Sequence, residues 1–367
     1  MLKLAVIAGD GIGPEVTTQG LRCLDKLSKA AGADGFQYQV TQTPFSGARY
    51  LKENIVITDD ELAELRRNYD AIYLGAVGRP DVAPGIMERG LLLKLRFELD
   101  LFVNLRPVKL YPGVQTPLAG KTGEHIDMVV VRENTEDLYC GVGGILRKGT
   151  RDEVAVQEMM ATRMGVDRCL RYAFELCRAR NRKDSRKGRK LTLVGKTNVL
   201  TYAQDLWMRA FTEMGTKEYP DIAREYHHVD ACCMYMVLKP EVYDVLVTGN
   251  MFGDIITDLG AAIAGGMGVA ASGNLDPTGK SPSIFEPIHG SAPDIAGQNK
   301  ANPIAAILSI AMLLQQTGTV KKDAKLIAAG DRLEAAVMRV CPRFAGMPFD
   351  RLPMPTHAVT DLVLAEL

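Results

Sequence analysis

The sequence predicts an α/β protein, and three observations carry that expectation. Short apolar runs of strand length, at residues 4–8, 71–74, 127–132, 191–194 and 243–248, alternate with longer runs of helical period. A glycine-rich turn, Gly9-Asp10-Gly11-Ile12-Gly13, leads from the first apolar run into Pro14-Glu15, a pairing that suits a helix start. The chain is also long enough: 367 residues, 47% hydrophobic and 24% charged, can bury a large core and set an expectation of about two domains.

Taken in order, 4–8 is the first strand and the helix after the glycines runs amphipathically to about Leu27. Residues 71–74 form another strand, 91–99 a helix and 127–132 a strongly buried strand. From 140 to 156 the chain is rich in glycine and β-formers without a helical period, which predicts a protruding hairpin or arm of the kind that reaches a partner subunit. Residues 166–180 and 202–214 read as helices. Between them, 178–190 carries eight basic residues and one acid, Asp184, with no aromatic to stack a base, so it reads as a solvated loop before the strand 191–194. No internal repeat or low-complexity tract is visible.

Composition excludes more than it selects. Lys+Arg 44 against Asp+Glu 44 leaves zero net charge, which gives no global attraction to nucleic acid or to an anionic membrane. The seven cysteines, Cys23, Cys140, Cys169, Cys177, Cys232, Cys233 and Cys341, contain no CxxC pair, a pattern that fits a reducing compartment, the cytoplasm. The apolar opening, 2–8, is too short for a signal-peptide core, and 304–314 is too short to span a bilayer.

Chemistry concentrates in a few places. In Asn250-Met251-Phe252-Gly253-Asp254-Ile255-Ile256-Thr257-Asp258, two carboxylates four residues apart share one face of a predicted helix just beyond a buried strand. Like charges held so close repel unless a cation lies between them, and hard oxygens suit Mg²⁺ or Mn²⁺. Asp230 is a candidate third ligand. Arg96, Arg106 and Arg132 stand on or at the ends of buried elements, where arginines can hold carboxylates bidentately. Lys196 lies where a buried strand runs out and is placed to accept a proton. The glycine turn is a poor dinucleotide fingerprint: its third glycine comes one residue early, Pro14 intrudes and no acid ends a second strand about twenty residues on. Thr278-Gly279-Lys280-Ser281 lacks the earlier glycine of a phosphate loop, since position 274 is Asn274.

Gly9 to Glu15, Leu92-Leu93-Lys94-Leu95-Arg96, Asn104-Leu105-Arg106-Pro107, Arg132-Glu133 to Tyr139, Lys196-Thr197-Asn198, Asn250 to Asp258, and Glu286-Pro287-Ile288-His289-Gly290-Ser291-Ala292-Pro293-Asp294-Ile295-Ala296-Gly297 together resemble the β-decarboxylating dehydrogenases. That family comprises the isopropylmalate, isocitrate, homoisocitrate, and tartrate or D-malate dehydrogenases. The resemblance implies a two-domain, non-Rossmann, isopropylmalate-dehydrogenase-like α/β fold, a central sheet flanked by helices with a protruding arm at about 139–158. A cofactor-binding domain would take 1–101 plus 265–367, and a dimerisation and metal/substrate domain 102–264. It implies a homodimer, with dimers pairing into tetramers as a further option, whose sites borrow Asp230 and Lys196 across the interface. Asp254 and Asp258 would bind Mg²⁺ or Mn²⁺ with Asp230, Lys196 would be the base, Tyr139 the acid, and K⁺ an activator.

The resemblance also places Ile12, Glu88, Asn198, His289, Gly290, Ser291, Ala292, Asp294, Ile295 and Asn302 at the cofactor. An acid at Asp294 would bind the ribose hydroxyls and repel a 2′-phosphate, which points to NAD. Isocitrate-type members carry serine and asparagine six and four residues before the first clamp arginine; here those positions are Gly90 and Leu92. Leu92, Leu93 and Val199 would make an apolar wall that suits a branched alkylmalate, 3-isopropylmalate, over a third carboxylate. Tartrate or D-malate is the alternative, isocitrate or homoisocitrate less so. A non-catalytic regulatory subunit would have eroded these ligands, and they are present.

Overall fold

Strand β1 (Leu2–Gly9) is buried on both faces, as its continuous apolar run requires, and it opens the first of two packing units in the computed structural model. The structure describes residues 1–30, 35–183, 188, 190–350 and 352–367. Unit 1 comprises Met1–Leu101, Arg106–Ile126 and Ala261–Leu367, and unit 2 comprises Phe102–Leu105 and Asp127–Gly260. Of the basic stretch expected to be a loop, residues 178–183 instead continue the helix Arg163–Lys183 and Lys190 opens the strand Lys190–Gly195, while 184–187 and 189 lie outside the described residues.

In unit 1, β1 is followed by α1 (Gly13–Ser28), β2 (Tyr38–Gln42), α2 (Gly47–Glu53), α3 (Asp59–Asn68) and β3 (Ala71–Ala76). The single helix expected at 91–99 is instead a π-helical turn, Glu88–Leu93, that runs into α4 (Lys94–Glu98). A π-turn closes over one more residue than an α-turn, so it accommodates an extra residue without shifting the helix beyond it. Strand β4 (Val103–Lys109) carries residues of both units.

Unit 2 continues with β5 (Asp127–Glu133), β6 (Gly143–Leu146), β7 (Val154–Gln157), α5 (Arg163–Lys183), β8 (Lys190–Gly195), α6 (Ala203–Lys217), β9 (Ala223–His228), α7 (Val229–Leu238), β10 (Val245–Thr248) and α8 (Asn250–Ile263). Unit 1 is completed by β11 (Ala271–Leu275), β12 (Ser283–Pro287), α9 (Ile304–Lys321), α10 (Ala324–Val340) and α11 (Thr356–Ala365).

The unit 1 sheet runs in the order β2-β1-β3-β12-β11, with only the β11–β12 pair antiparallel. Its core helix is α9, of which 13 residues are buried, and Tyr73 Oη donates to the Ala306 carbonyl at 2.9 Å. At 18 residues α9 is longer than the 304–314 stretch read from the sequence. It is the one described helix long and apolar enough to cross a bilayer, but 72% of it is buried inside the protein.

The unit 2 strands run β5-β10-β8-β9, all parallel. Their register aligns Arg132 with Thr248, Thr248 with Val194, and Gly195 with His228. Every segment that leaves a carboxyl end of this sheet therefore leaves from one edge. The predicted arm is the two-stranded antiparallel hairpin β6–β7, exposed at every strand residue.

The glycine-rich turn is explained by what it touches. Gly9 (φ +74°) and Gly11 (φ +59°) lie in the left-handed region, and a Cβ on either would stand 1.9 Å from a carbonyl oxygen, that of Ala76 or of Ser291. Ile12 N–H donates to the same Ser291 carbonyl at 2.8 Å. Asp10, buried, accepts from the backbone N–H of Gly47 (2.8 Å), Gly78 (3.1 Å) and Ala48 (3.3 Å). Glu15 accepts from the N–H of Asn299 (3.3 Å) and Ala301 (3.2 Å). The turn thus fastens distant segments of its own unit. Asp10→Ala strands three backbone donors and is expected to destabilise unit 1 by about 2–4 kcal/mol, measured as a fall in the urea midpoint relative to wild type.

Candidate active site

Arg132, the penultimate residue of β5, has its side chain only 1% exposed, so its charge has to be answered inside the protein. Asn250 Oδ1, at the start of α8, accepts from Nε (3.0 Å) and Nη2 (2.7 Å), while Nη1 donates to Asp254 Oδ1 at 2.5 Å. The approach depends on Gly253: a Cβ there would stand 2.4 Å from Arg132 Cγ. The other carboxylate oxygen of Asp254 accepts from Tyr139 Oη at 2.8 Å, and the Arg132 guanidinium lies 5.2 Å from the Tyr139 ring centroid. Burial first, then the Asp254 hydrogen bond and charge, raise the phenol pKa above its ordinary value, so Tyr139 keeps its proton. Asp258, one turn beyond Asp254, is exposed.

Glu133, next along β5, is directed elsewhere. It accepts from Thr135 N–H (2.7 Å), Thr135 Oγ1 (2.8 Å) and Glu136 N–H (2.8 Å), and burial pushes its carboxyl up to about 7 against those donors.

A second constellation in unit 2 follows β8 and β9. Lys196 Nζ donates to Asp230 Oδ1 at 2.7 Å, and this hydrogen bond holds the Asp230 carboxyl below its ordinary value. The turn that carries Lys196 is braced by Tyr226, whose hydroxyl accepts from Thr197 N–H and Oγ1, both at 3.0 Å, and lies 3.1 Å from His228 Nδ1. Asn198 and Val199 are exposed. Among the described residues no three His, Cys, Asp or Glu side chains converge within one chain, so Asp230 does not join Asp254 and Asp258 there.

Unit 1 holds the remaining predicted residues. Arg96 on α4 is buried, with Nη2 3.6 Å from Glu286 Oε1, which also accepts from Asn274 Nδ2 at 2.8 Å. Arg106, on β4, is buried. Leu92 and Leu93 are half-buried on the π-turn, and exposed Glu88 turns one oxygen back to Gly85 N–H at 2.9 Å.

The 289–295 loop packs through the Ser291 carbonyl onto Gly11 and buried Ile12. His289 Nδ1 lies 3.0 Å from the Gly290 carbonyl, which assigns the proton to Nδ1. Nε2 is buried with no hydrogen-bond partner among the described residues, and burial lowers the pKa. Ala292 has φ +38°, Asp294 is exposed and Ile295 half-buried. Asn302 is committed within unit 1, donating to Phe349 O at 2.6 Å and accepting from Ile304 N–H at 3.0 Å.

Residues 3–343 match the isocitrate/isopropylmalate dehydrogenase family model. The chain belongs to that family. It is 54% identical over 325 residues to a 3-isopropylmalate dehydrogenase of Thermobifida fusca, covering 89% of each chain, and 51% identical to one of Corynebacterium diphtheriae, covering 100% and 99%. Among solved structures it resembles isocitrate dehydrogenase from Methylococcus capsulatus, with TM-score 0.83 and 33% identity over 100% of this chain and 99% of that one. It also resembles a β-decarboxylating dehydrogenase from Thermococcus kodakarensis, with TM-score 0.75 and 33% identity over 100% and 96%.

Sequence reading missed the residues that position these side chains: Asn250, Gly253, Tyr226 and Glu286. Asn250 and Gly253 stood in the acidic motif itself, but their role shows only once β5 and α8 are side by side. Gly253→Ala should force Arg132 off Asp254, costing about 1–3 kcal/mol as overpacking does; a melting curve and a dehydrogenase assay on the same sample would show both falling.

Proposed function

We propose that this member of the dehydrogenase family oxidatively decarboxylates (2R,3S)-3-isopropylmalate with NAD to 4-methyl-2-oxopentanoate, the reaction of leucine biosynthesis. The observation that carries the reading is Asp254, which holds the protonated Tyr139 on one oxygen and buried Arg132 on the other. The relatives named 3-isopropylmalate dehydrogenase at 51% and 54% identity support the substrate.

The donor set fits both a divalent cation and NAD. Asp254 and Asp258 are adjacent on one face of α8, with hard oxygens for Mg²⁺ or Mn²⁺, and the Asp230 of a second copy would supply the third carboxylate. His289, with its buried Nε2 free to accept, and exposed Asp294 suit the adenosine half of NAD rather than NADP. When bound, the cation supplies Lewis-acid polarisation of the substrate oxygens and NAD⁺ supplies the hydride acceptor.

The chain's own residues do the rest. Arg96, Arg106 and Arg132 hold the malate carboxylates. Lys196 of the second copy takes the C2 hydroxyl proton, which lets the C2 hydride leave. After CO₂ is lost from the resulting β-keto acid, Tyr139 gives its proton to the carbon that carried it. Leu92, Leu93 and Val199 are the apolar side chains assigned to the alkyl group; a third carboxylate left against such side chains would be unpaired.

The homodimer rests on exposed apolar side chains that a lone chain leaves in water: Ile145, Leu146, Val154 and Val156 on the arm, and Met234, Val237 and Leu238 on α7. All seven cysteines are free, which suits the cytoplasm.

NADH formation with Mg²⁺ and K⁺ is expected to show the highest kcat/KM for 3-isopropylmalate among that compound, D-malate, tartrate and isocitrate; a higher value for D-malate or tartrate would reassign the substrate. Lys196→Ala is expected to lower kcat by about 10²–10⁴-fold. If sites are shared, mixing Lys196→Ala with Asp254→Asn should recover about a quarter of wild-type activity, because half the dimers are then hybrids with one intact site. No recovery after verified subunit exchange would place Lys196 in its own chain's site.

A further inference from the structure

We infer that Asp137 is the positioning residue that sets Tyr139 against the acidic helix α8. It takes no part in the reaction itself, and the inference rests on the proton-donor role proposed above for Tyr139.

Asp137 is buried and has φ +69°, a left-handed conformation that residues with a β-carbon adopt only when something holds them there. Three hydrogen bonds do so. Its backbone N–H donates to the Met160 carbonyl at 2.9 Å, closing the root of the arm. Oδ1 accepts from Leu138 N–H at 2.8 Å, and Oδ2 accepts from Met251 N–H at 3.0 Å, in the first turn of α8. Gly249 leaves the room for this: a Cβ there would stand 3.0 Å from Asp137 Oδ2.

One side chain therefore joins three things. It fixes the short 3₁₀ turn Asp137–Cys140 that carries Tyr139, the base of the hairpin arm, and the amino end of the helix that carries Asp254. A carboxylate at that helix end is favoured both by the hydrogen bond and by the helix dipole. The Tyr139–Asp254 bond at 2.8 Å closes a ring of which Asp137–Met251 is the other clasp. With the clasp removed, Tyr139 can swing with the arm while α8 stays on its sheet, and a displacement of about 1 Å suffices to cost a proton transfer up to 10²-fold.

Two properties of Asp137 can be separated by substitution. Asp137→Gly removes the carboxylate but suits φ +69°, whereas Asp137→Ala removes the carboxylate and adds backbone strain. Asp137→Asn tolerates the left-handed region and keeps one acceptor oxygen.

The test measures steady-state NADH formation with Mn²⁺, NAD and whichever hydroxy acid the wild-type chain turns over, together with amide hydrogen exchange across 249–254. The expected result is a kcat at least about tenfold lower for both Asp137→Gly and Asp137→Ala, with KM for NAD unchanged and Asp137→Asn intermediate. Amide exchange at 249–254 should be faster in Asp137→Gly.

Wild-type kcat in Asp137→Gly would overturn the inference, since only the backbone conformation would then matter. A parallel fall in kcat and rise in KM for NAD across all three variants would overturn it too, as general destabilisation. Should the wild-type chain turn over none of the acids, the proposed function falls on its own account. The exchange measurement then decides the clasp by itself: unchanged exchange at 249–254 in Asp137→Gly refutes it.

Discussion

A guanidinium withdrawn from water must have its charge and its donors answered inside the protein, and the way Arg132 meets that requirement organises the carboxyl edge of unit 2. Asn250 takes two of its N–H groups and Asp254 a third, so the end of β5 and the first turn of α8 are held in one relative position. Removing Asp254 would leave the Arg132 charge buried with only the neutral Asn250 to answer it, a larger loss than that of a pair solvated on both sides. The exposed pairs elsewhere, such as Arg209–Asp205 or Lys29–Asp25, are solvated on both sides and contribute little. Of these interactions, the Arg132 pair is the one whose loss the fold cannot absorb locally.

That constraint has a chemical consequence. Asp254 is buried enough to be a partner for Arg132 yet its side chain keeps 38% of its surface, so it can serve the protein with one oxygen and the site with the other. The parallel order of β5, β10, β8 and β9 then brings the segments bearing Tyr139, Asp254, Lys196 and Asp230 to the same sheet edge. Parallel strands have this property by construction: every strand ends on the same side, and side chains just beyond those ends collect there.

Much of this was legible in the sequence, for reasons that can be named. Strands buried on both faces need unbroken apolar runs, so β1, β3, β5, β8 and β10 announced themselves. The spacing of Asp254 and Asp258 needed only the helical period, and the arm showed through glycine and β-formers without one. What remained hidden depends on partners far away in the chain. The glycine turn reads locally as a failed nucleotide fingerprint, while its actual partner is the Ser291 carbonyl, and Asp10 is occupied by the N–H groups of Gly47, Ala48 and Gly78. The second half of the π-turn, Leu91–Leu93, reads as plain helix in the sequence because apolar spacing over so few residues does not distinguish a period of 3.6 from a wider one. Helix α9 outran its apolar run because Thr317 and Gly318 are buried as well, which hydrophobicity alone does not foresee.

The two polar constellations share a design that bears on the proposed chemistry. Tyr139, the proposed acid, is hydrogen-bonded to Asp254, and Lys196, the proposed base, to Asp230. Each proton-handling group is thus parked on one of the carboxylates assigned to the divalent cation. A divalent cation held by those carboxylates, as proposed, would share their oxygen lone pairs with the phenol and the ammonium. A chain that kept Tyr139 and Lys196 on neutral partners would have no such link. Aspartate at both positions would thus give the proposed cation and the proposed acid and base common oxygens.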